Sequence, residues 1–260
     1  MFPLIVKEKY QEYIHIPFEE VRIKNARGKT LYGELRRNSL QKEKDVPTLI
    51  LFSHGHLSSG RNDMPLFCNF QLKKYDVLAI DHEGNGLSEG KHSGFGIYEY
   101  ENIMLWVKKI NEIYNHRVNI FLHGVSMGSN SVLLTANHEM ENVKGIIGDC
   151  GYTSTYAILH KVCKSHIATF SVCLLNSFIL RRNVFKYSTK KTLSKSLYPV
   201  LLIHGKADNF VPFCMSEQND KACSSKHKFI AVDGATHAMS YLTNPDLYEA
   251  EFDAFIKENS

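Results

Sequence analysis

The stretch NIFLHGVSMGSNSVLL, residues 119–134, decides how the rest of the chain is read. Ile120-Phe121-Leu122 is an apolar run of the kind that forms a buried strand, and Ser131 to Thr135 leaves like a helix facing a core. Between them stands G-V-S-M-G at 124–128. The pentapeptide alone says little, because glycine and serine are common. In a strand, sharp turn and helix, the central serine is forced outward and becomes a candidate nucleophile. Ser126 is that serine.

Working outward, further apolar runs end in small or polar residues and are followed by helical segments. They are PTLILFSHG, YDVLAIDHEG, VKGIIGDCG, YPVLLIHG and HKFIAVDG. Continuous Val/Ile/Leu runs suit strands buried on both faces, as in helix-covered parallel sheets. VRIKNARGKTLYGELRR reads instead as two alternating strands about a turn, an antiparallel hairpin. Ile103, Trp106, Val107, Ile110 and Ile113 share one face of an amphipathic helix, and PDLYEAEFDAFIKEN makes another with Pro245 at its start. The fold expected is α/β, a mostly parallel sheet of about eight strands flanked by helices. Ligands of such sheets bind outside the carboxyl ends of the strands.

One segment breaks the alternation. From Thr153 to about Leu197 there is no strand signal, and IATFSVCLLNSFIL is nearly all apolar with basic residues on both sides. It is too short to span a bilayer, which takes about 20 apolar residues. We read 153–197 as a helical cap inserted after the sixth strand; a buried core helix and a membrane-interface helix are the alternatives. The 260 residues otherwise form one domain, 1–260.

Composition narrows the function. A formal charge of +4, from 31 basic residues scattered among 27 acidic ones, lacks the concentrated basic stripe of a nucleic-acid binder. Six cysteines, at 68, 150, 163, 173, 214 and 223, show neither C-x-x-C pairs nor a disulfide framework. Those at 150, 163 and 173 read as small hydrophobes. The start MFPLIVKEKYQEYIHIPFEE lacks a basic segment followed by a full apolar core, so no secretory leader is expected. A reducing cytoplasm fits best.

A serine hydroxyl needs a base within reach, and the base needs an orienting carboxylate. On an elbow of this type they follow in the order serine, acid, histidine. Two aspartates stand just after late strands, Asp208 in YPVLLIHGKADNFVP and Asp149 in GIIGDCGYTS. Position favours Asp208. Among 13 histidines, His237 in FIAVDGATHAMSYL has the right order and loop, whereas His54, His123 and His204 precede glycines at strand ends and read as turn formers. Two backbone N–H groups are expected to receive a developing oxyanion: that of Met127 and that of His56 in SHGHLSSG. Taken alone, the loop at His56 reads equally as a plain glycine turn.

With these residues marked, the chain resembles the α/β-hydrolase superfamily over essentially its whole length. The motifs that carry the resemblance are H-G-x at 54–56, D-x-x-G-x-G-x-S-x-G at 81–90 and G-V-S-M-G at 124–128. H-G-x-x-D-x-x-V-P at 204–212 and G-A-T-H-A at 234–238 complete them. With G-Y-T-S at 151–154 it is similar to small bacterial serine hydrolases, esterase-like or related to prolyl oligopeptidase-type hydrolase domains. The resemblance implies a Ser126–Asp208–His237 triad with His56 and Met127 as oxyanion donors. Two positions depart from the pattern: Glu83 stands where arginine is usual, and Asn102 where aspartate often stands.

The function expected is a carboxylesterase-like serine hydrolase acting through an acyl-enzyme on a small-molecule ester or thioester. A medium-size acyl or aromatic group would lie under the apolar cap at 167–180. A peptidase or amidase with the same triad is the second reading, and a non-catalytic binding protein of the same fold the third. No cofactor, no metal and no nucleic-acid partner are expected; at the membrane, no more than a weak surface contact through the cap.

Overall fold

The computed structural model describes residues 2–67 and 69–260, with side chains from Glu8 onward. Cys68, one of the six cysteines, lies outside the described residues. Eight strands are formed: β1 (Glu19–Lys24), β2 (Thr30–Arg36), β3 (Thr48–Ser53), β4 (Asp76–Ile80), β5 (Asn119–Val125), β6 (Val143–Asp149), β7 (Val200–Gly205) and β8 (His227–Val232). They lie in the order β1-β2-β4-β3-β5-β6-β7-β8. The β1–β2 hairpin is antiparallel and joins β4 antiparallel, while every other pairing is parallel. The sheet therefore has the composition expected from its sequence runs.

The pleat sends alternate residues of each strand to opposite faces, and two cores result. Ile50, Phe52, Val77, Phe121 and Ile203 face one side, with Leu49, Leu51, Leu78, Ile120 and Leu202 on the other. The first side is covered by α1 (Phe2–Ile14), α3 (Gly60–Phe67), α10 (Ser240–Thr243) and α11 (Pro245–Asn259), through Tyr13, Met64, Tyr241 and Phe252. A short α2 (Ser39–Lys42) precedes β3. The second side is covered by α4 (Ile97–Ile113) and α5 (Met127–Leu133), through Trp106, Ile110 and Val132. Both faces are dry. That is why the central strands β3 to β7 carry no polar alternation, whereas β1 at the edge does.

Between β6 and β7 the chain is helical: α6 (Thr155–Cys163), α7 (His166–Leu180), a single 3₁₀ turn at Val184–Lys186 and α8 (Thr189–Leu193). The excursion is pinched at its base, where Ser154 bridges Ser188 and the Thr189 N–H donates to Thr153 O at 3.0 Å. Beyond the pinch, α8 returns to the sheet layer. Leu193 enters the second core, and Thr192 Oγ1 donates to Leu133 O at 2.9 Å. The protruding part thus ends near residue 188, earlier than the sequence boundary at 197. Helix α9 (Cys214–Ala222) leads from β7 into β8. Among the described residues no helix is long and apolar enough to cross a membrane.

Candidate active site

Ser126 sits at the carboxyl end of β5 and caps α5 with φ 56° and ψ −114°. A serine in that region is strained by about 1–3 kcal/mol and stays only where its surroundings fix it. Here they do. Its N–H donates to Asp149 O at 2.9 Å, and its carbonyl accepts the Asn130 N–H at 3.0 Å. The two glycines of the motif make the elbow sterically feasible. A Cβ on Gly124 would stand 2.2 Å from Gly128 O, and one on Gly128 would stand 2.0 Å from Ser53 O. Any side chain at either position would push the helix off the sheet.

The loop after β8 brings His237 to this serine. Its Nε2 lies 3.0 Å from Ser126 Oγ, and its Nδ1 lies 2.7 Å from Asp208 Oδ2. With Nδ1–H donating to the carboxylate, Nε2 is left to accept the serine proton, a tautomer assigned from the network. Asp208 is anchored in turn. Its Oδ1 accepts the N–H groups of Phe210 at 2.8 Å and Val211 at 2.9 Å. Burial alone would raise this carboxyl, but the hydrogen bonds from His204 and His237 overcome it and hold it far below the usual carboxylate range. A carboxylate that orients an imidazole, itself bonded to a hydroxyl, is an arrangement that can make a serine nucleophilic.

His204 shapes its turn, with Nε2 3.1 Å from Val211 O, and it also reaches the candidate site. It is fully buried, and its Nε2 is 3.1 Å from Asp208 Oδ2, the same oxygen that meets His237. Ser216 Oγ lies 2.6 Å from its Nδ1. A histidine four residues before the acid was the signal, but nothing in sequence says that it turns back onto it. His54 and His123 do shape the interior. Burial pushes them down to about 4 and about 3, so both stay neutral.

Asp149, the other aspartate weighed, is buried and makes no bond to His237; its Oδ1 accepts from Ser240 Oγ at 3.1 Å. Burial pushes its carboxyl up to about 6. An unfolded aspartate titrates near about 3.9. Between about pH 4 and 6 the folded chain therefore keeps a proton that the unfolded chain has lost, and stability falls as pH rises. Above that window the cost levels off on the order of 3 kcal/mol. Asp149→Asn, whose amide oxygen can still accept from Ser240, is expected to melt higher at neutral pH and to show a flatter stability profile across the window. A thermal-melt series over pH checks this; a variant that melts lower at neutral pH contradicts it.

Cys150 follows directly and was read only as a small hydrophobe. It is buried, and its Sγ lies with Asp208 and His237 in a group whose ligand atoms are all within 4.8 Å of one another. Burial, with Asp149 and Asp208 adding to it, pushes the thiol well up. A metal ligand must be a thiolate, and an ion here would also break the His237–Asp208 bond. The residues do not fit a metal.

The remaining walls come from two loops. Asp63 accepts the Gly55 N–H at 2.8 Å and Ser58 Oγ–H at 2.5 Å, fixing the loop after β3. Gly55 lies against the serine, an added Cβ standing 3.7 Å from Ser126 Cβ, and His56 comes next. Met127 opens α5, so its N–H is one of the first-turn donors without an intrahelical partner. The second loop, 93–96, was not singled out in the sequence. Buried Glu99 accepts the N–H groups of Gly94 at 2.8 Å and Gly96 at 2.9 Å. Phe95 stacks on the His56 ring at 5.0 Å, while Tyr152 Oη donates to Phe95 O at 3.0 Å. The Phe210 ring stands 4.8 Å from that of His237.

The two departures from the family pattern are joined through the β1–β2 turn. Arg27, from the β1–β2 turn, donates to Glu83 Oε2 at 2.7 Å, and Asn25 Nδ2 donates to Glu83 at 2.6 Å and to Asn102 at 3.4 Å. The acid on the loop is thus matched by a cation from the hairpin, and the loop stays packed.

The apolar run expected to line the pocket is turned differently. Cys173 and Leu180 of α7 pack against Ile97, Tyr98 and Val184, in a cluster separate from the one that holds Met127. The helix that meets the site is α6, where Ile158 packs with Met127, Tyr152, Val211 and Met215.

This constellation on this sheet is that of an α/β hydrolase. Residues 44–183 match the family model described as serine aminopeptidase, S33, and the chain belongs to that family of the α/β-hydrolase superfamily. It is 30% identical to the uncharacterised protein YqkD of Bacillus subtilis (strain 168) over 220 residues, covering 82% of this chain and 72% of that protein. Among solved structures, the Pyrococcus furiosus esterase Pf2001 aligns with a TM-score of 0.74 at 21% identity, covering 95% of this chain and 94% of that one. Est1E from Butyrivibrio proteoclasticus, solved with ferulic acid bound, aligns at 0.71 and 18%, covering 92% and 98%. These likenesses bear out the fold.

Proposed function

We propose that this protein is a serine hydrolase that cleaves carboxylic esters or thioesters through an acyl-enzyme. Ser126 attacks the acyl carbon as His237 takes its proton; His237 then protonates the leaving group, and Asp208 holds the imidazole and offsets its charge. Water deacylates the enzyme with His237 again as base. The N–H groups of Met127 and His56 are the proposed oxyanion donors. The observation that carries the reading is the 3.0 and 2.7 Å pair of contacts that puts His237 between Ser126 and Asp208. In this reading the protruding helices between β6 and β7 cap the site through α6. Apolar neighbours such as Ile158, Val211 and Met215 suit a medium-size acyl chain or an aromatic group. Among the described residues five cysteines are free, which supports a reducing cytoplasm.

The family description favours a second reading, an aminopeptidase. Such an enzyme needs a carboxylate to hold the substrate's terminal ammonium. Around Ser126 the carboxylates already have partners: Asp63 holds Gly55 and Ser58, Glu99 holds Gly94 and Gly96, and Asp149 holds Ser240. Ester chemistry, which needs no such group, therefore ranks first. The test is hydrolysis of p-nitrophenyl esters from acetate to palmitate beside matched amino-acid p-nitroanilides. Faster ester turnover, peaking at medium chain length, is expected. Faster turnover of the anilides would transfer the assignment to the peptidase.

A further inference from the structure

Helix α7 buries its less apolar side. At 100° per residue, Thr169, Cys173 and Leu180 fall together and are the buried positions. On the opposite face Ile167, Phe170, Leu174 and Phe178 form one stripe, and they are 83, 54, 56 and 83% exposed. A monomeric protein rarely leaves so many large apolar side chains contiguous in water. Something covers this face.

Charge says what. Between 153 and 197 there are eight lysine or arginine residues and not one aspartate or glutamate, in a chain whose balance elsewhere is acidic enough to leave only +4 overall. Exposed cations bracket the apolar stripe, Lys164 just before α7 and Arg181 just after it, with Lys186 beyond. Beside the stripe runs a groove of about 690 Å³, in which Phe170, Leu174, Phe178 and Phe185 meet Arg181 and Arg182. A second copy of this chain fits poorly, because a two-fold contact through the stripe would set the same cations opposite each other. An apolar strip edged by lysine and arginine matches acyl chains beneath anionic headgroups.

We propose that the outer face of α7 and its flanking basic residues dock the protein on an anionic lipid bilayer, α7 lying in the plane of the interface. The helix is too short to cross. The docked face lies opposite the side of α7 that packs on Ile97 and Tyr98, so the core is untouched by docking. The proposal goes beyond the hydrolase reading and does not depend on it, since binding is measured without turnover.

The full chain is sedimented with vesicles of phosphatidylcholine alone and of phosphatidylcholine mixed with phosphatidylglycerol. Binding to the mixed vesicles is expected, falling as salt is added. Ile167→Ser with Phe178→Ser, both at solvent-facing positions, is expected to weaken it by about tenfold or more. Lys164→Gln and Arg181→Gln are expected to weaken it by about fivefold each. Circular dichroism of each variant verifies that the fold is kept. Absence of binding to mixed vesicles at low salt would overturn the proposal, as would binding that neither pair of substitutions weakens. A solution dimer that Phe178→Ser dissociates, with no vesicle binding, would assign the face to a second copy instead.

Discussion

Replacing Ser126 with alanine is expected to lower kcat for ester hydrolysis by on the order of 10⁴- to 10⁶-fold, with KM changed little. The loss is large because, in the proposed mechanism, the hydroxyl oxygen is the atom that bonds to the acyl carbon. Without it, His237 and Asp208 have no nucleophile to activate. KM is expected to hold because the walls proposed for the acyl group, Met127, Tyr152 and Ile158 among them, do not include the hydroxyl. The fold is expected to hold as well, since among the described residues Ser126 Oγ hydrogen-bonds only to His237 while the elbow is tied by its backbone bonds to Asp149 and Asn130. Alanine at φ 56° carries the same strain as serine. Initial rates on the p-nitrophenyl series measure the effect. A variant that keeps most of the wild-type rate removes Ser126 from the chemistry.

Asp208→Asn is expected to cost on the order of 10⁴-fold in kcat while leaving the fold intact. The asparagine carbonyl can take the place of Oδ1 and accept the N–H groups of Phe210 and Val211. Its amide then faces Nδ1 of His237 and Nε2 of His204, where the carboxylate oxygen had accepted from both. A donor in that position favours the His237 tautomer with the proton on Nε2, pointed at Ser126. That imidazole cannot take the serine proton. The pair of histidines on one oxygen makes the penalty sharper than in a site with one partner, because both rings would have to exchange tautomers. Steady-state kinetics together with a thermal melt separate the outcomes. A modest loss of rate with an unchanged melt would mean that Asp208 only anchors its loop.

The architecture was legible because buried parallel strands leave an unmistakable composition. Runs such as TLILFS and VLLIHG need no alternation when helices cover both sides of the sheet, and β3 and β7 are buried at every position. The elbow was legible for a steric reason, that Gly124 and Gly128 occupy places a Cβ cannot. His237 and Asp208 followed from chain order. What could not be read were contacts made across the sheet edge. His204 turning onto Asp208, Cys150 beside His237 and Phe95 over His56 depend on loops whose meeting leaves no local trace. The orientation of α7 was hidden for a different reason. In IATFSVCLLNSFIL apolar residues occur on all sides, so periodicity does not mark the buried face. Expectation set that run over the substrate; packing set much of it in solvent. The N-terminal stretch forms helix α1, which the sequence reading did not anticipate, and Tyr13 at its end is fully buried in the first core.

The central claim is that one serine of this chain becomes a nucleophile. The most direct measurement is reaction of the folded protein with a fluorophosphonate, followed by peptide mapping of the adduct by mass spectrometry. The account expects one adduct per chain, on the peptide that carries Ser126, absent from Ser126→Ala and slowed severely in Asp208→Asn. A folded protein that takes up no label, or takes it up at another residue, would contradict it.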